Sequence, residues 1–162
     1  MPPPERYNTN YNLGVGGAVI KDDKLLMVRR ASRRGRGNWQ IPGGFVEQDE
    51  TMEQAVVREV AEEAGVTAEV VGVLGIRNRY DPDNGNSTYV IMALRPVSGE
   101  PTPDDHEVDM AAYFSLDEID ALEQVPPINR EVARRALDSK RRILDPQEVT
   151  QPTGLTYTLF IG

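Results

Sequence analysis

Residues 44–66, GFVEQDETMEQAVVREVAEEAGV, contain the start and end signals of one helix and a dense set of acidic residues. Thr51 followed three residues later by Gln54 has the sequence of a capping box, which predicts that a helix begins there. Gly65 stands where a helix C-terminal glycine belongs. The apolar positions between these ends recur at helical spacing and are Val56, Val57, Val60 and Ala64. The segment therefore predicts an amphipathic helix over residues 51–64.

The same helix places three glutamates on one face. Glu59, Glu62 and Glu63 stand at positions i, i+3 and i+4, and Arg58 reaches Glu62 at i+4. Like charges at this spacing repel each other weakly, which a solvated surface tolerates. Clustered carboxylates are also the preferred ligands of Mg²⁺ and Mn²⁺. Helix physics alone leaves a solvated face and a metal site both open.

The net charge is concentrated in this region. The chain has 162 residues, a formal net charge of −8 and 39% hydrophobic residues, which is typical of one soluble domain. Residues 47–63 hold seven acids and one base and so contribute −6 of the −8. This acidity argues against a nucleic-acid polymer as partner, since such a partner needs a basic face. No apolar run approaches the roughly 18 residues that cross a bilayer, so we expect no membrane partner.

Cysteine usage and the first residues bear on chemistry and compartment. The chain has no cysteine, which excludes zinc–thiolate sites and thiol catalysis. Its start, MPPPE, lacks the charged and apolar regions of a signal peptide. We predict a cytoplasmic protein.

Strand and helix patterns follow one another along a single domain. We expect a lead-in over residues 1–12, a domain over 13–145, and a C-terminal tail over 146–162 that is either loose or adds a strand at 155–161. Strands are predicted at 13–20, 24–29, 39–41, 66–79, 87–95 and 110–114. Further helices are predicted from Ser115 and over 128–142. This mixture predicts an α/β (α+β) fold, with a mixed β-sheet sandwiched between helices.

The spacing of the acidic helix resembles a known family. The pattern Gly44-x₅-Glu50-x₇-Arg58-Glu59-Val60-x-Glu62-Glu63-x-Gly65-Val66 fills all nine fixed positions of the Nudix (MutT-like) box. The segments LLMVRR at 25–30, GNW at 37–39 and PGGFVE at 42–47 are also similar to that family. The resemblance covers residues 13–120. It implies a Mg²⁺-dependent hydrolase of diphosphate linkages, with Mn²⁺ as a substitute cation.

The resemblance also implies roles for the residues of the box. Glu59, Glu62 and Glu63 would be metal ligands, with Gly43 supplying a backbone carbonyl. Arg58 would orient Glu59, and Glu50 would brace the loop before the helix. Gly44 and Gly65 would support the site structurally.

A general base in this family often comes from a separate loop, for which residues 104–109 are the candidate. Glu107 is the predicted base or extra ligand, and His106 or another acid is the alternative. Among the arginines, Arg29 at the end of a strand is the preferred substrate contact, and Arg77 and Arg79 are further candidates. Arg33, Arg34 and Arg36 either bind phosphate or belong to a solvated loop. Trp39 either stacks on a base or anchors the core.

The implied substrate is a small nucleotide. The segment 39–47 is similar to ADP-ribose and NADH pyrophosphatases, which favours a nucleoside diphosphate linked to another group: ADP-ribose, an NDP-sugar or a dinucleotide. A MutT-type nucleoside triphosphate pyrophosphatase and a non-catalytic nucleotide sensor are the alternatives. The sequence leaves open whether the chain acts as a homodimer.

Overall fold

A hairpin of two buried strands begins the part of the chain that this computed structural model describes, residues 11–162. Strand β1 (Asn12–Lys21) runs antiparallel to β2 (Lys24–Arg30). The turn consists of Asp22 and Asp23, which both have positive φ angles, 49° and 58°. Two consecutive positive φ angles match the right-handed twist of the flanking strands. The strands predicted at 13–20 and 24–29 are confirmed.

Five further strands complete a mixed seven-stranded sheet. They are β3 (Trp39–Gln40), β4 (Gly43–Phe45), β5 (Thr67–Asp81), β6 (Gly85–Ser98) and β7 (Val108–Phe114). The main path is β3-β2-β1-β6-β5; β4 pairs with β1, and β7 pairs with β2. Strands β1 and β6 are parallel and the other pairs are antiparallel. Because β4 lies against β1, the loop that leads to the acidic helix is fixed to the middle of the sheet.

The acidic helix is α1 (Met52–Ala64). Thr51 Oγ1 accepts the N–H of Gln54 at 3.1 Å, and Gln54 Oε1 accepts the N–H of Thr51 at 2.9 Å. Gly65 ends the helix with a φ of 68°, a conformation that glycine adopts without strain. The predicted helix and both of its ends are confirmed.

Helices cover both sides of the sheet, as the α+β prediction requires. On one side, Val56 and Val60 of α1 pack with Leu26 and Val28 of β2. On the other side, Leu25 and Met27 pack with helices α2 (Leu116–Ala121) and α3 (Pro127–Ala136). Alternate residues of β2 therefore pack into two separate cores, because successive side chains of a strand point to opposite faces of the sheet.

Trp39 belongs to the second of these cores. It is 6% exposed, and its ring meets that of Phe114 edge-to-face at 5.1 Å. The core-anchor interpretation is confirmed. A ring this deeply buried has little surface left on which a base could stack.

The C-terminal part differs from the prediction in two places. Helix α3 ends at Ala136 and not at 142, because Asp138 forms a turn in which its carboxylate and carbonyl accept backbone N–H groups of Lys140 and Arg141. The predicted strand at 155–161 is confirmed as β9 (Thr156–Ile161). Its antiparallel partner, β8 (Asp145–Thr150), was missed. The polar sequence DPQEVT carries no strand pattern, and its pairing comes from the neighbouring strand.

Two boundaries are also shifted. Strands β5 and β6 extend to Asp81 and Ser98, beyond their predicted ends at 79 and 95. Most of the predicted lead-in, residues 1–10, lies outside the described residues. Within residues 11–162, no helix combines the length and the apolar character that crossing a membrane requires.

Candidate functional site

Arg58 joins the loop before α1 to the acidic face of the helix. Its guanidinium donates to both carboxylate oxygens of Glu50, at 2.7 and 3.0 Å, and to the Phe45 carbonyl at 3.2 Å. It also donates to Glu59 at 2.9 Å and to Glu62 at 3.1 Å. The hydrogen bonds from Arg58, and then from the Glu47 N–H, lower the pKa of Glu50 to about 2. One arginine therefore fixes the loop and two of the predicted ligands relative to each other.

The two glycines at the start of the loop make room for this arrangement. A Cβ on Gly44 would overlap the Glu59 carboxylate. A Cβ on Gly43 would overlap the Val15 carbonyl and the Tyr89 hydroxyl. Both positions require glycine for space, which explains why the backbone and the carboxylate can approach so closely.

Glu63 is a buried carboxylate without an ion-pair partner among residues 11–162. It is 4% exposed, and it accepts a hydrogen bond from the Gly43 N–H at 3.4 Å. Burial, and then the charge of Glu59, raise the pKa of Glu63 to about 8. Burial also raises the pKa of Glu59, although Arg58 opposes this shift. A buried anion is unfavourable unless a cation compensates it.

These donors fit a hard divalent cation. Such cations prefer carboxylate and carbonyl oxygens as ligands. The negative charge of Glu63 is not balanced by a basic side chain of residues 11–162, so a bound cation would compensate it. In the described part of the chain, however, no three acidic or histidine side chains converge tightly enough to form a finished metal site. Glu59 and Glu62 point toward Arg58, and the Glu62 side chain is 59% exposed. The residues are thus assembled on one face, but their final geometry is not preformed.

A cavity of about 440 Å³ brings the predicted base loop to this face. Glu63, Glu107 and His106 all line it. The loop is shaped by Asp104, whose carboxylate accepts the backbone N–H groups of His106, Glu107 and Val108 at 2.9–3.0 Å. The charge of Glu107 contributes to the raised pKa of both Glu59 and Glu63. Both base candidates are therefore close to the acidic face, and the choice between them stays open.

A second cavity, of about 450 Å³, lies beside the two glycines. Its charged lining residues are Arg30, Arg77 and Arg79, and no acidic residue of the described chain lines it. Ile41, Phe45, Ile128 and Val132 supply apolar walls. Two of the predicted substrate contacts, Arg77 and Arg79, are thus placed in one concave surface next to the acidic helix.

The structure places Arg29 differently from its neighbour. Arg29 forms a two-point ion pair with Asp109, at 2.8 and 3.0 Å, and lines neither of these cavities. Arg30 lines both of them and is held by Ser32 Oγ and the Arg34 carbonyl at 2.9 Å each. Sequence reasoning missed Arg30, although the alternation of side chains along a strand showed that only one of the two arginines would face the site.

The loop arginines are mostly exposed. Arg33, Arg34 and Arg36 lie at the surface, and Arg36 donates to the Ala31 carbonyl at 3.1 Å. Arg34 lines a neighbouring cavity of about 490 Å³ together with Arg30 and Arg79. The solvated-loop interpretation describes Arg33 and Arg36, whereas Arg34 borders the site.

Fold and site together define a protein suited to phosphate chemistry, with a carboxylate helix beside an arginine-lined cavity. Residues 10–136 match the model of the NUDIX domain family. The chain belongs to the Nudix hydrolase family, and the family resemblance of the sequence is confirmed.

Named relatives agree with this assignment. The chain is 35% identical over 111 residues to an ADP-ribose pyrophosphatase of Methanocaldococcus jannaschii, covering 68% of this chain and 65% of that protein. It is 30% identical over 162 residues to the human nucleoside diphosphate-linked moiety X motif 6, covering 93% of this chain and 51% of that protein. The chain thus spans half to two thirds of the length of these relatives. A NUDIX hydrolase structure from Nitrosomonas europaea has a TM-score of 0.71 at 28% identity, covering 82% of this chain and 93% of that one.

Proposed function

We propose that this protein hydrolyses the diphosphate linkage of a nucleoside diphosphate joined to another group, such as ADP-ribose, an NDP-sugar or a dinucleotide. A nucleoside monophosphate would be one product. The observation that carries the proposal is the position of the buried Glu63 and the half-buried Glu59 carboxylates beside a cavity lined by three arginines. The name of the Methanocaldococcus jannaschii relative, ADP-ribose pyrophosphatase, supports the substrate class.

Mg²⁺ is the proposed cofactor, with Mn²⁺ as a substitute. Glu59, Glu62, Glu63 and the Gly43 carbonyl are the residues that would hold it. When bound, such a cation neutralises phosphate charge and makes water a better nucleophile at neutral pH. Glu63 supports this assignment, because it is a buried carboxylate whose compensating cation is not supplied by residues 11–162.

The protein's own residues position the reactants and move the proton. Arg58 donates hydrogen bonds to both Glu59 and Glu62 and so keeps these two carboxylates near each other. Arg30 lies between the two cavities, where its guanidinium suits the charge of a bound diphosphate. Glu107, or alternatively His106, would accept a proton from the attacking water. The new P–O bond forms to that water as the bridging P–O bond breaks, and its electron pair stays on the departing phosphate.

A hydrolysis screen tests the proposal. The purified protein with Mg²⁺ is incubated with ADP-ribose, NDP-sugars, dinucleotides and nucleoside triphosphates, and the products are separated by chromatography. We expect a nucleoside monophosphate from the first three classes. Pyrophosphate release from triphosphates alone would favour the MutT-type alternative, and binding without turnover would favour the sensor.

A pair of variants on one helix tests the site. Glu59→Gln removes a proposed ligand, and we expect it to lower kcat strongly and to change the Mg²⁺ dependence. Glu53→Gln removes a carboxylate from the first turn of the same helix and serves as the matched control. Full activity of Glu59→Gln with an unchanged Mg²⁺ dependence would refute the metal assignment.

A further inference from the structure

Arg77 and Arg79 form a pair on one face of β5. They are two residues apart in the strand, so their side chains project from the same side of the sheet. Both line the cavity of about 450 Å³. Their cross-strand partners on β6 are Tyr89 and Ser87, which line the same cavity. The two arginines and their partners on β6 therefore form one wall of the cavity.

No acidic residue of the described chain lines the cavity around this pair. The Arg77 guanidinium donates to Ser87 Oγ at 3.0 Å and lies 5.5 Å from the centre of the Tyr89 ring. Its Nε is buried and has no hydrogen-bond partner among the described residues. None of the ion pairs within residues 11–162 involves either arginine. Burial, and then the charge of Arg79, lower the pKa of Arg77. Asp81, two residues beyond Arg79, is close enough for the charge of Arg79 to help lower its pKa, after the larger effect of the Asn84 hydrogen bond. Arg77 is the less compensated of the two cations, and a bound anion would reduce the repulsion between them.

The pair is separated from the acidic helix by a tyrosine. The Tyr89 hydroxyl lies against Gly16 and Gly43, where a Cβ would overlap it. The face of the same ring lies under Arg77. The Gly43 N–H in turn donates to Glu63. The Tyr89 side chain therefore lies between Arg77 and the backbone that holds Glu63, so the arginine pair and the carboxylates occupy different sides of this residue.

We propose that Arg77 and Arg79 form a second anion subsite, which selects substrates that carry a phosphate group in addition to the diphosphate that is cleaved. This inference rests on the proposed function. Guanidinium groups suit phosphate because two parallel N–H donors can meet two oxygens. The additional phosphate has two chemical sources: a phosphomonoester on a ribose, or a further phosphate in a longer chain between two nucleosides.

Paired substrates test the subsite and separate the two sources. ADP-ribose is compared with ADP-ribose 2′-phosphate, and diadenosine diphosphate with diadenosine tetraphosphate. We expect kcat/KM to be higher for one phosphorylated partner by about tenfold or more, the usual worth of hydrogen bonds between charged groups. Arg77→Gln and Arg79→Gln should each lower that ratio toward one. Arg95→Gln, on β6 and paired with Glu69, is the matched control and should keep the ratio.

The variants also separate a specific contact from a general loss of structure. Arg77→Lys keeps the charge without the forked donors, and we expect an intermediate ratio. If Arg77→Gln lowers kcat/KM equally for both members of a pair, or if the unaltered protein shows no preference, the subsite is refuted.

Binding in EDTA provides a measurement independent of turnover. Titration calorimetry should show tighter binding of ADP-ribose 2′-phosphate, or of diadenosine tetraphosphate, than of its partner. Arg77→Gln should remove the difference, and equal affinities in the unaltered protein would overturn the inference. Hydrolysis of ADP-ribose without any preference would refute only the subsite. Absence of all hydrolysis with preferential binding intact would refute only the proposed function.

Discussion

Replacing Glu63 by Gln tests how a buried carboxylate sets the stability of this protein. The side chain is 4% exposed, and the Gly43 N–H donates to it at 3.4 Å. Burial, and then the charge of Glu59, raise its pKa from 4.5 to about 8. Gln has nearly the same shape but no charge, so the substitution removes the cost of burying the anion.

The sign of the effect follows from the two pKa values. The unfolded chain loses the Glu63 proton near pH 4.5, whereas the folded chain keeps it up to about pH 8. The free energy of unfolding therefore falls as the pH rises between these values and then levels off. One pKa unit is worth about 1.4 kcal/mol, so the upper limit is about 4–5 kcal/mol. Because solvent relaxation screens buried charge, we expect a difference of about 2–4 kcal/mol.

Urea unfolding in EDTA, followed by circular dichroism, measures this difference. We expect Glu63→Gln and the unaltered protein to have similar free energies of unfolding at about pH 5, and the variant to be more stable at about pH 8. Millimolar Mg²⁺ at the higher pH should then stabilise the unaltered protein more than the variant, since a cation that binds only the folded state shifts the equilibrium toward it.

Two results would contradict this reasoning. One is a variant that is less stable than the unaltered protein at the higher pH in EDTA. The other is a stability difference that does not change with pH. Glu53→Gln serves as control, because it removes a carboxylate from the same helix without emptying the buried position.

Three further predictions concern the same region. Gly44→Ala should lower kcat by displacing the Glu59 carboxylate while circular dichroism shows a retained fold, and normal kcat would contradict the steric argument. Thr51→Ala removes the capping hydrogen bond, and urea unfolding should show a loss of about 1 kcal/mol. Glu107→Gln should lower kcat by removing a proton acceptor, with His106→Asn as its counterpart; the residue whose variant keeps a normal kcat is not the base.

The ends of α1 show what local sequence predicts well. Thr51, Gln54 and Gly65 act through bonds within one helix, so their spacing alone determines where it begins and ends. The choice between Arg29 and Arg30 depends on which face of β2 meets the site, and that is set by pairing with distant strands. The alternation of side chains places Arg29 and Arg30 on opposite faces of β2, but it does not show which of the two faces the site.

Pairing and packing between elements explain the remaining differences. Strand β8 has a polar sequence, and its backbone pairs with β9, the next strand along the chain. Gly16 and Gly43 accommodate the Tyr89 hydroxyl, a contact that brings together residues from β1, β4 and β6. Such contacts leave no periodic pattern in the sequence. The candidate ligands were thus found from a motif on one helix, whereas the cavity beside them was visible only in the folded chain.

The carboxylates and the cavity walls come from different parts of the fold. Glu59, Glu62 and Glu63 lie on α1, which Arg58 connects to the preceding loop. The cavity walls at Arg77 and Ile128 belong to β5 and α3. Under the proposed function, we expect a substitution at Arg77 or Ile128 to change which molecule is admitted without disturbing the carboxylates on α1. Substrate preference can then be redesigned in the laboratory while the acidic helix stays as it is.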